Sequence, residues 1–253
     1  MSSGASSTGV RGYQQDLAYI HDAGFSDYAL DAAPGLLKIL KQYGITRGPI
    51  IDLGCGTGRW ARELNRFGYE VYGVDQSPAM IRLARRTAPD SRFKTGSLWT
   101  CNLPPCNAIT SIGECLNYCF DCDADKHAIL SLFKRLHRAL RPGGVFICDF
   151  AGPGRRPARG SRQHNSSGRD WAVTATSTVR GTNGMRRRIV AFRRIGKKQR
   201  RSEEVHDLRL YRANDICAIL RRCGFRARIL KAYGKFLLPR GIHGVVATKT
   251  KTN

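Results

Sequence analysis

The residues best suited to chemistry lie between Ile51 and Gly58, in the order Ile-Asp-Leu-Gly-Cys-Gly-Thr-Gly. A short apolar run, Pro49-Ile-Ile-Asp-Leu53, leads into three glycines, and a segment with Trp60, Ala61, Leu64 and Phe67 on one helical face follows. Each glycine removes a Cβ and lets the backbone approach a ligand, while the first turn of the helix offers unpaired N–H groups to an anion. The spacing is Gly-x-Gly-x-Gly, not the Gly-x-Gly-x-x-Gly of dinucleotide sites. Asp52, two residues ahead of the first glycine, suits a ligand ammonium group better than a pyrophosphate. A second acid, Asp75, closes the next apolar run from Tyr69, where a carboxylate can accept from both hydroxyls of a ribose.

Taken with Val71-Tyr-Gly-Val-Asp-Gln-Ser-Pro-Ala-Met80 and Leu140-Arg-Pro-Gly-Gly144, this segment resembles the class I S-adenosylmethionine-dependent methyltransferases. The likeness is strong over residues 45–150 and looser over 203–250. It is closer to bacterial small-molecule or uncharacterised members, with Gly113-Glu-Cys-Leu-Asn-Tyr118 and Arg201-Ser-Glu-Glu-Val-His206 as further points of similarity. The resemblance implies S-adenosylmethionine as cofactor and a doubly wound, Rossmann-like sheet of seven strands. It also implies site roles. Asp52, Gly54, Gly56 and Gly58 would wall the methionine moiety and Asp75 would hold the ribose. Gln76 and Met80 would flank the adenine, and Ile112 and Gly113 would lie under the sulfonium. Many members place an Asp after the third strand, facing the adenine amine. Here the sequence is Thr95-Gly96-Ser97-Leu98, so Ser97 and Leu98 stand at that place.

The elements that must position these residues are legible in outline. Residues 1–44 read as a Ser/Gly-rich tail followed by lid helices, with Leu17, Ile20, Leu36, Leu37 and Leu40 at helical spacing. Residues 45–150 alternate strands with helices, which predicts a parallel sheet covered on both faces. Ser77 is placed to cap one helix, Asp123 and Asp125 to open another, and Arg141-Pro-Gly-Gly144 to stop it ahead of a fifth strand. Residues 151–212 change character: a Gly/Pro/Arg/Ser-rich loop to 168, then three alternating strands of an antiparallel insert, with Gly196-Lys-Lys-Gln-Arg-Arg201 at a hairpin tip. Residues 213–253 supply a short helix and a C-terminal β-hairpin completing the core sheet.

Methyl transfer needs alignment of donor and acceptor, and a base only where the acceptor cannot shed a proton unaided. Glu114, His206 and His21 are the catalytic candidates. Glu114 follows the fourth strand, where ligands bind in such sheets; a carboxylate paired with an arginine is the alternative account of it. His206 and Glu204 alternate onto one strand face and can share a pocket or form a pair on a lid. Tyr13 and Tyr118 are aromatic candidates for the acceptor wall, with Glu204 a third contact. Cys115, Cys119 and Cys122 have the spacing of an iron–sulfur triad, but they follow the fourth strand of a chain that already has a cofactor motif. Free thiols are the reading for them and for Cys101 and Cys106, and no metal is expected.

Composition sets the outer bounds. The 253 residues carry nine cysteines and a net charge of +24, with 17 basic against 14 acidic residues up to position 150 and 26 against 5 beyond it. No apolar run approaches a membrane span and the opening residues lack a signal-peptide pattern, so a cytoplasmic protein with reduced thiols is expected. Its acceptor is expected to be a small molecule; the basic half admits an anionic one, with solvated surface charge as the default account of it. RNA or another polyanion is the alternative, and a non-catalytic cofactor-binding protein the third reading. A monomer or homodimer fits equally.

Overall fold

The computed structural model describes residues 12–121, 124–158 and 160–250. Two helices come first, α1 (Gln15–Gly24) and α2 (Asp27–Gln42). The core then alternates β1 (Gly48–Leu53), α3 (Arg59–Arg66), β2 (Tyr69–Asp75), α4 (Pro78–Thr87), β3 (Arg92–Thr95), β4 (Cys106–Ser111), α5 (Lys126–Ala139) and β5 (Leu140–Ala151). After the insert come α6 (Ala213–Arg222), β10 (Phe225–Leu230) and β13 (Ile242–Lys249). These strands form the expected seven-stranded sheet, in the order β10-β13-β5-β4-β1-β2-β3, with β13 the antiparallel member. Period-two alternation sorts its residues: Ile50 faces α2 and α3, with Leu36, Leu40, Trp60 and Leu64, whereas Ile51 faces the side covered by Leu132, Phe133 and Leu136 of α5. Ser77 caps α4 by accepting from the Met80 N–H, and Asp125 caps α5 at Ala128. Asp123 lies outside the described residues.

Three local expectations are corrected. The Arg141-Pro-Gly-Gly turn does not stand outside the fifth strand. β5 begins at Leu140, opposite Cys106, and takes up Gly143 (φ +78°) in a register shift before Val145 pairs with Ala108. The insert has four strands, not three: β6 (Ser161–Ser167), β7 (Trp171–Arg180), β8 (Gly184–Ile195) and β9 (Lys198–Arg209), paired in sequence order. β6 reads Ser-Arg-Gln-His-Asn-Ser-Ser and shows no apolar alternation because the strand is exposed along nearly its whole length. Its ladder to β7 alone makes it a strand. At the C-terminus, β10 ends at Leu230 and a small hairpin, β11 (Ala232–Tyr233) with β12 (Phe236–Leu237), precedes β13. It is fixed on α2, where a Cβ on Gly35 would fall 2.0 Å from the Tyr233 carbonyl oxygen.

The insert sheet folds back over the carboxyl edge of the core sheet and is joined to it through α1. Trp171, Val173, Ile189 and Ala191 bury one sheet face against Leu17 and Ile20 of α1. A helix with only ten residues is marginal alone, so this burial and its ion pairs place it. Asp16, 6% exposed, takes Arg193 and Arg200 of the insert, and Asp22 takes Arg59 of α3 in a bidentate pair at 2.8 Å. No helix among the described residues is long and apolar enough to cross a membrane.

Candidate active site

A cavity of about 610 Å³ opens between these layers, at the carboxyl ends of β1, β2 and β4. That is where the strand order reverses and where open α/β sheets bind ligands. Its floor is the glycine turn with Asp75, Ile112 and Gly113; its roof is the inner face of the insert sheet, Val173, Ala175 and Ile189; α1 and the start of α2 form a side wall with His21, Phe25 and Tyr28.

On the floor the glycine turn is drawn by backbone hydrogen bonds. Gly54, at φ +73°, donates its N–H to the Val74 carbonyl at 2.7 Å, and Gly56, at φ +53°, donates to Asp75 Oδ2 at 3.0 Å. Ser77 N–H donates to Asp75 Oδ1 at 2.8 Å, so one carboxylate fixes both the turn and the start of α4. Burial pushes Asp75 up to about 6 despite those two bonds. Asp52, 3% exposed, accepts from the Thr110 hydroxyl at 2.7 Å, and burial pushes it up to about 7. A Cβ built on Gly56 or Gly113 meets nothing within 4 Å, so the cradle is open beside both glycines. An open glycine cradle, two carboxylates and the thioether of Met80 suit a nucleoside bearing an ammonium group, the chemistry of S-adenosylmethionine. Gln76, Leu98, Ile112 and Gly113 lie on the same wall.

Two expected floor residues are elsewhere. Gly58 does not face the cavity; at φ +77° its missing Cβ leaves room for α4, since an added one would lie 3.0 Å from Ala84 Cα. Ser97 points away as well, its hydroxyl accepting from the Trp99 N–H at 3.0 Å in a local turn. Gly96, Leu98 and Trp99 take its place on the wall.

On the far side, Tyr13 and Tyr118 meet hydroxyl to hydroxyl at 2.9 Å. Arg187 donates to the Tyr118 oxygen and to Glu114 Oε2, both at 3.3 Å, and Arg155 donates to Glu114 Oε1 at 3.2 Å. Glu114 is therefore the arginine-paired carboxylate, each of its oxygens taken by one guanidinium. His21 lines the cavity with Nδ1 unpartnered, and burial lowers it to about 4, so the ring is neutral near pH 7. Glu204 and His206 are brought together, at 2.8 Å, but neither faces the cavity. They lie behind the rings of Tyr13, Tyr118 and Phe120. Cys115 is wedged between the glycine turn and the end of β4, its thiol 3.2 Å from the Ile112 carbonyl; Cys122 lies outside the described residues.

A buried hub went unread in the sequence. Asp149, on β5, accepts from Gly113 and Glu114 N–H at 2.8 Å on one oxygen and from the hydroxyls of Tyr28 (3.0 Å) and Tyr233 (3.2 Å) on the other. It fixes the turn after β4 that supplies the floor and one cavity-lining tyrosine. A signal existed: β1, β2 and β5 each carry an acid within their last three residues, Asp52, Asp75 and Asp149. Arg187 was hidden in the run Arg186-Arg187-Arg188, of which strand alternation turns only the middle one inward.

Residues 50–144 match the methyltransferase domain family. Among curated relatives, the demethylmenaquinone methyltransferase of Tropheryma whipplei is 32% identical over 127 residues, 46% of this chain and 47% of that protein. The phosphoethanolamine N-methyltransferase 2 of Caenorhabditis elegans is 29% identical over 47% of this chain and 28% of its own. The chain spans about half the length of the first curated relatives it matches. Solved structures extend the likeness over the insert. A sugar N-methyltransferase from Streptoalloteichus sp. superposes with TM-score 0.77 at 21% identity, covering 99% of both chains. A S-adenosylmethionine-dependent methyltransferase from Clostridium acetobutylicum gives 0.79 at 19% identity, over 92% of this chain and 97% of that one. At such identities these neighbours establish the fold. The domain match over the glycine turn, strands β1 to β4 and α5 shows a methyltransferase domain at residues 50–144, on a fold shared with S-adenosylmethionine-dependent methyltransferases.

Proposed function

We propose that the chain transfers a methyl group from S-adenosylmethionine to a small-molecule acceptor, one bearing an amine. The observation that carries this reading is the continuity of one cavity, from the glycine turn and Asp75 to the Tyr13, Tyr118 and Arg187 wall under the insert. Asp75 would hold the ribose, the Gly54 and Gly56 backbone the methionine moiety, and Asp52 the ammonium end, with Met80 and Leu98 against the base. When bound, the cofactor supplies an electrophilic methyl group; alignment and exclusion of water are left to the chain. The insert sheet and α1 do the second, covering the floor from above.

The acceptor side favours a nucleophile that sheds its proton unaided. Glu114 is tied to Arg155 and Arg187, and neutral His21, already low, is a weak base. An amine in its neutral form meets that condition and an alcohol does not. Two structural neighbours are named for amine chemistry or an amine-bearing substrate, a sugar N-methyltransferase from Streptoalloteichus and an amino pentose methyltransferase from Micromonospora echinaspora. The test is to incubate the protein with methyl-labelled S-adenosylmethionine and a cell extract, then separate small molecules, nucleic acid and protein. Label in a basic small molecule is expected. Label in RNA would make the arginine-rich insert the recognition surface, and cofactor binding with no transfer to any fraction would leave a sensing protein.

A further inference from the structure

Tyr13 stands in an unusual backbone conformation, φ +57°, which side chains rarely adopt and which persists only where surrounding bonds enforce it. Three bonds do so here. Its N–H donates to Glu204 Oε2 at 2.6 Å, the next N–H, of Gln14, donates to Glu204 Oε1 at 2.8 Å, and its carbonyl accepts from the Ser77 hydroxyl at 2.6 Å. Glu204 is 4% exposed, and each of its oxygens takes one of two consecutive N–H groups at the start of α1. His206, fully buried, donates Nε2–H to Glu204 Oε2 at 2.8 Å, while the Tyr13, Tyr118 and Phe120 rings pack around it. The approach of the chain is equally constrained: a Cβ on Gly12 would lie 2.1 Å from the Phe120 ring.

We infer that Glu204, oriented by His206, is a positioning residue that clamps residues 12–24 over the cavity, and that Tyr13 couples retention of the cofactor to assembly of the acceptor wall. The coupling follows from where Tyr13 is tied. Its carbonyl is fixed to Ser77, two residues after the ribose-side carboxylate Asp75, and its hydroxyl to Tyr118 on the acceptor side. One residue thus touches both halves of the cavity, and the Glu204 clamp sets its geometry. Methionine Met80, on the floor, packs against Ala18 of the same clamped segment. The clamp must release for cofactor to exchange, and re-forming it rebuilds the Tyr13–Tyr118 pair. Cofactor binding first and acceptor second is the order this arrangement imposes.

The inference rests on the proposed cofactor reading, and the test separates the two. S-adenosylhomocysteine is the probe, its association and dissociation followed by surface plasmon resonance. Glu204→Gln keeps the size of the side chain but replaces one acceptor oxygen with a donor group facing an N–H. Its dissociation rate is expected to rise at least about tenfold, the scale of a buried charged hydrogen bond, with no fall in the association rate, since the clamp opens for entry as well as exit. Glu204→Asp is expected to recover part of the loss. Glu203→Gln, one residue away on the opposite face of β9, is expected to match the wild type. A Glu204→Gln protein that melts like Glu203→Gln yet releases the probe at the wild-type rate overturns the clamp. A wild-type protein that fails to bind the probe overturns the cofactor reading instead. Hydrogen exchange in the wild type needs no variant. Saturating probe should slow exchange of the Tyr13 and Gln14 amides at least about tenfold. Unchanged exchange at those two amides likewise overturns the coupling.

Discussion

The two halves of the cavity are built from different materials. On the cofactor side the ties are short in sequence and mostly backbone: Gly56 N–H reaches Asp75 across 19 residues, and Ser77 N–H reaches it across two. On the acceptor side they join distant segments, chiefly side chain to side chain, with the Tyr13 N–H adding a tie to the Glu204 carboxylate. Tyr13 meets Glu204 across 191 residues and Tyr118 across 105, and Arg187 meets Glu114 across 73. A backbone cradle depends on glycines at fixed spacing, which a linear motif can display. A side-chain wall depends on which strands become neighbours, which no short segment records.

The largest effect should come from the residue on which the first half depends. Asp75→Ala removes the carboxylate proposed to hold the ribose and frees the Gly56 and Ser77 N–H groups together. S-adenosylhomocysteine affinity, measured by titration calorimetry, is expected to fall about 100-fold or more, the scale of two charged hydrogen bonds. An unchanged affinity would show that the cradle does not need its carboxylate.

Acid should weaken the same contact without unfolding the protein. Burial holds Asp75 and Asp149 near about 6 and Asp52 near about 7, all above the ordinary carboxyl range. With folded values above unfolded ones, the folded chain takes up protons first, so these three groups make the free protein more stable as pH falls from about 7 toward about 4. Glu203 and Asp207, held low chiefly by hydrogen bonds from Arg188 and Arg186, lose their stabilisation only below that window. In the proposed site, ribose hydroxyls would donate to an ionised Asp75, so cofactor affinity has the opposite sign and is expected to drop about tenfold per pH unit below about 6. Probe titrations from pH 5 to 8, beside melting of the free protein, check both signs. Parallel loss of affinity and melting temperature would refute the assignment.

Arg187→Met sharpens the contrast from the other side. It leaves Glu114 with Arg155 alone and takes a donor from the Tyr118 oxygen, while touching nothing on the floor. Probe affinity is expected to stay within about twofold, whereas methyl transfer to the labelled acceptor fraction falls at least about tenfold. Equal losses in both would mean the halves are not separable.

Legibility followed the same division. The strand–glycine–helix unit, the alternation of strands and helices in the core and the Ser77 and Asp125 caps were readable because hydrophobic period and turn chemistry are local properties. Gly58 and Ser97 were misplaced because one residue of shift along a turn exchanges the cavity for a helix contact or a local hydroxyl bond. β6 was read as loop because an exposed polar strand has no apolar face to announce it. Glu204 and His206 were rightly read as sharing a strand face, yet whether that face meets a ligand or the start of α1 depends on a segment 190 residues earlier.

The basic charge of the insert tests the comparison most gently. Strand alternation sends Arg186, Arg188 and Arg201 to the outer face of the sheet and Arg187 to the inner one. The outer arginines are matched: Arg186 forms a bidentate pair with Asp207 at 2.7 Å, and Arg188 and Arg201 share Glu203 at 2.6 and 2.7 Å. These three arginines are thereby answered within the sheet by two carboxylates, and an exposed pair contributes little to stability. The double variant Arg188→Gln, Arg201→Gln is therefore expected to leave probe affinity and transfer to small molecules within about twofold of wild type. A phosphate-tracking surface behaves otherwise, because each lost phosphate contact lowers the slope of log affinity against log salt by about one. Titrating single-stranded RNA at several salt concentrations separates the cases. A steep slope that flattens in the double variant would shift the acceptor from the cavity to this face. A shallow slope shared by both proteins leaves recognition with the inward Arg187, whose partners lie on the cavity wall.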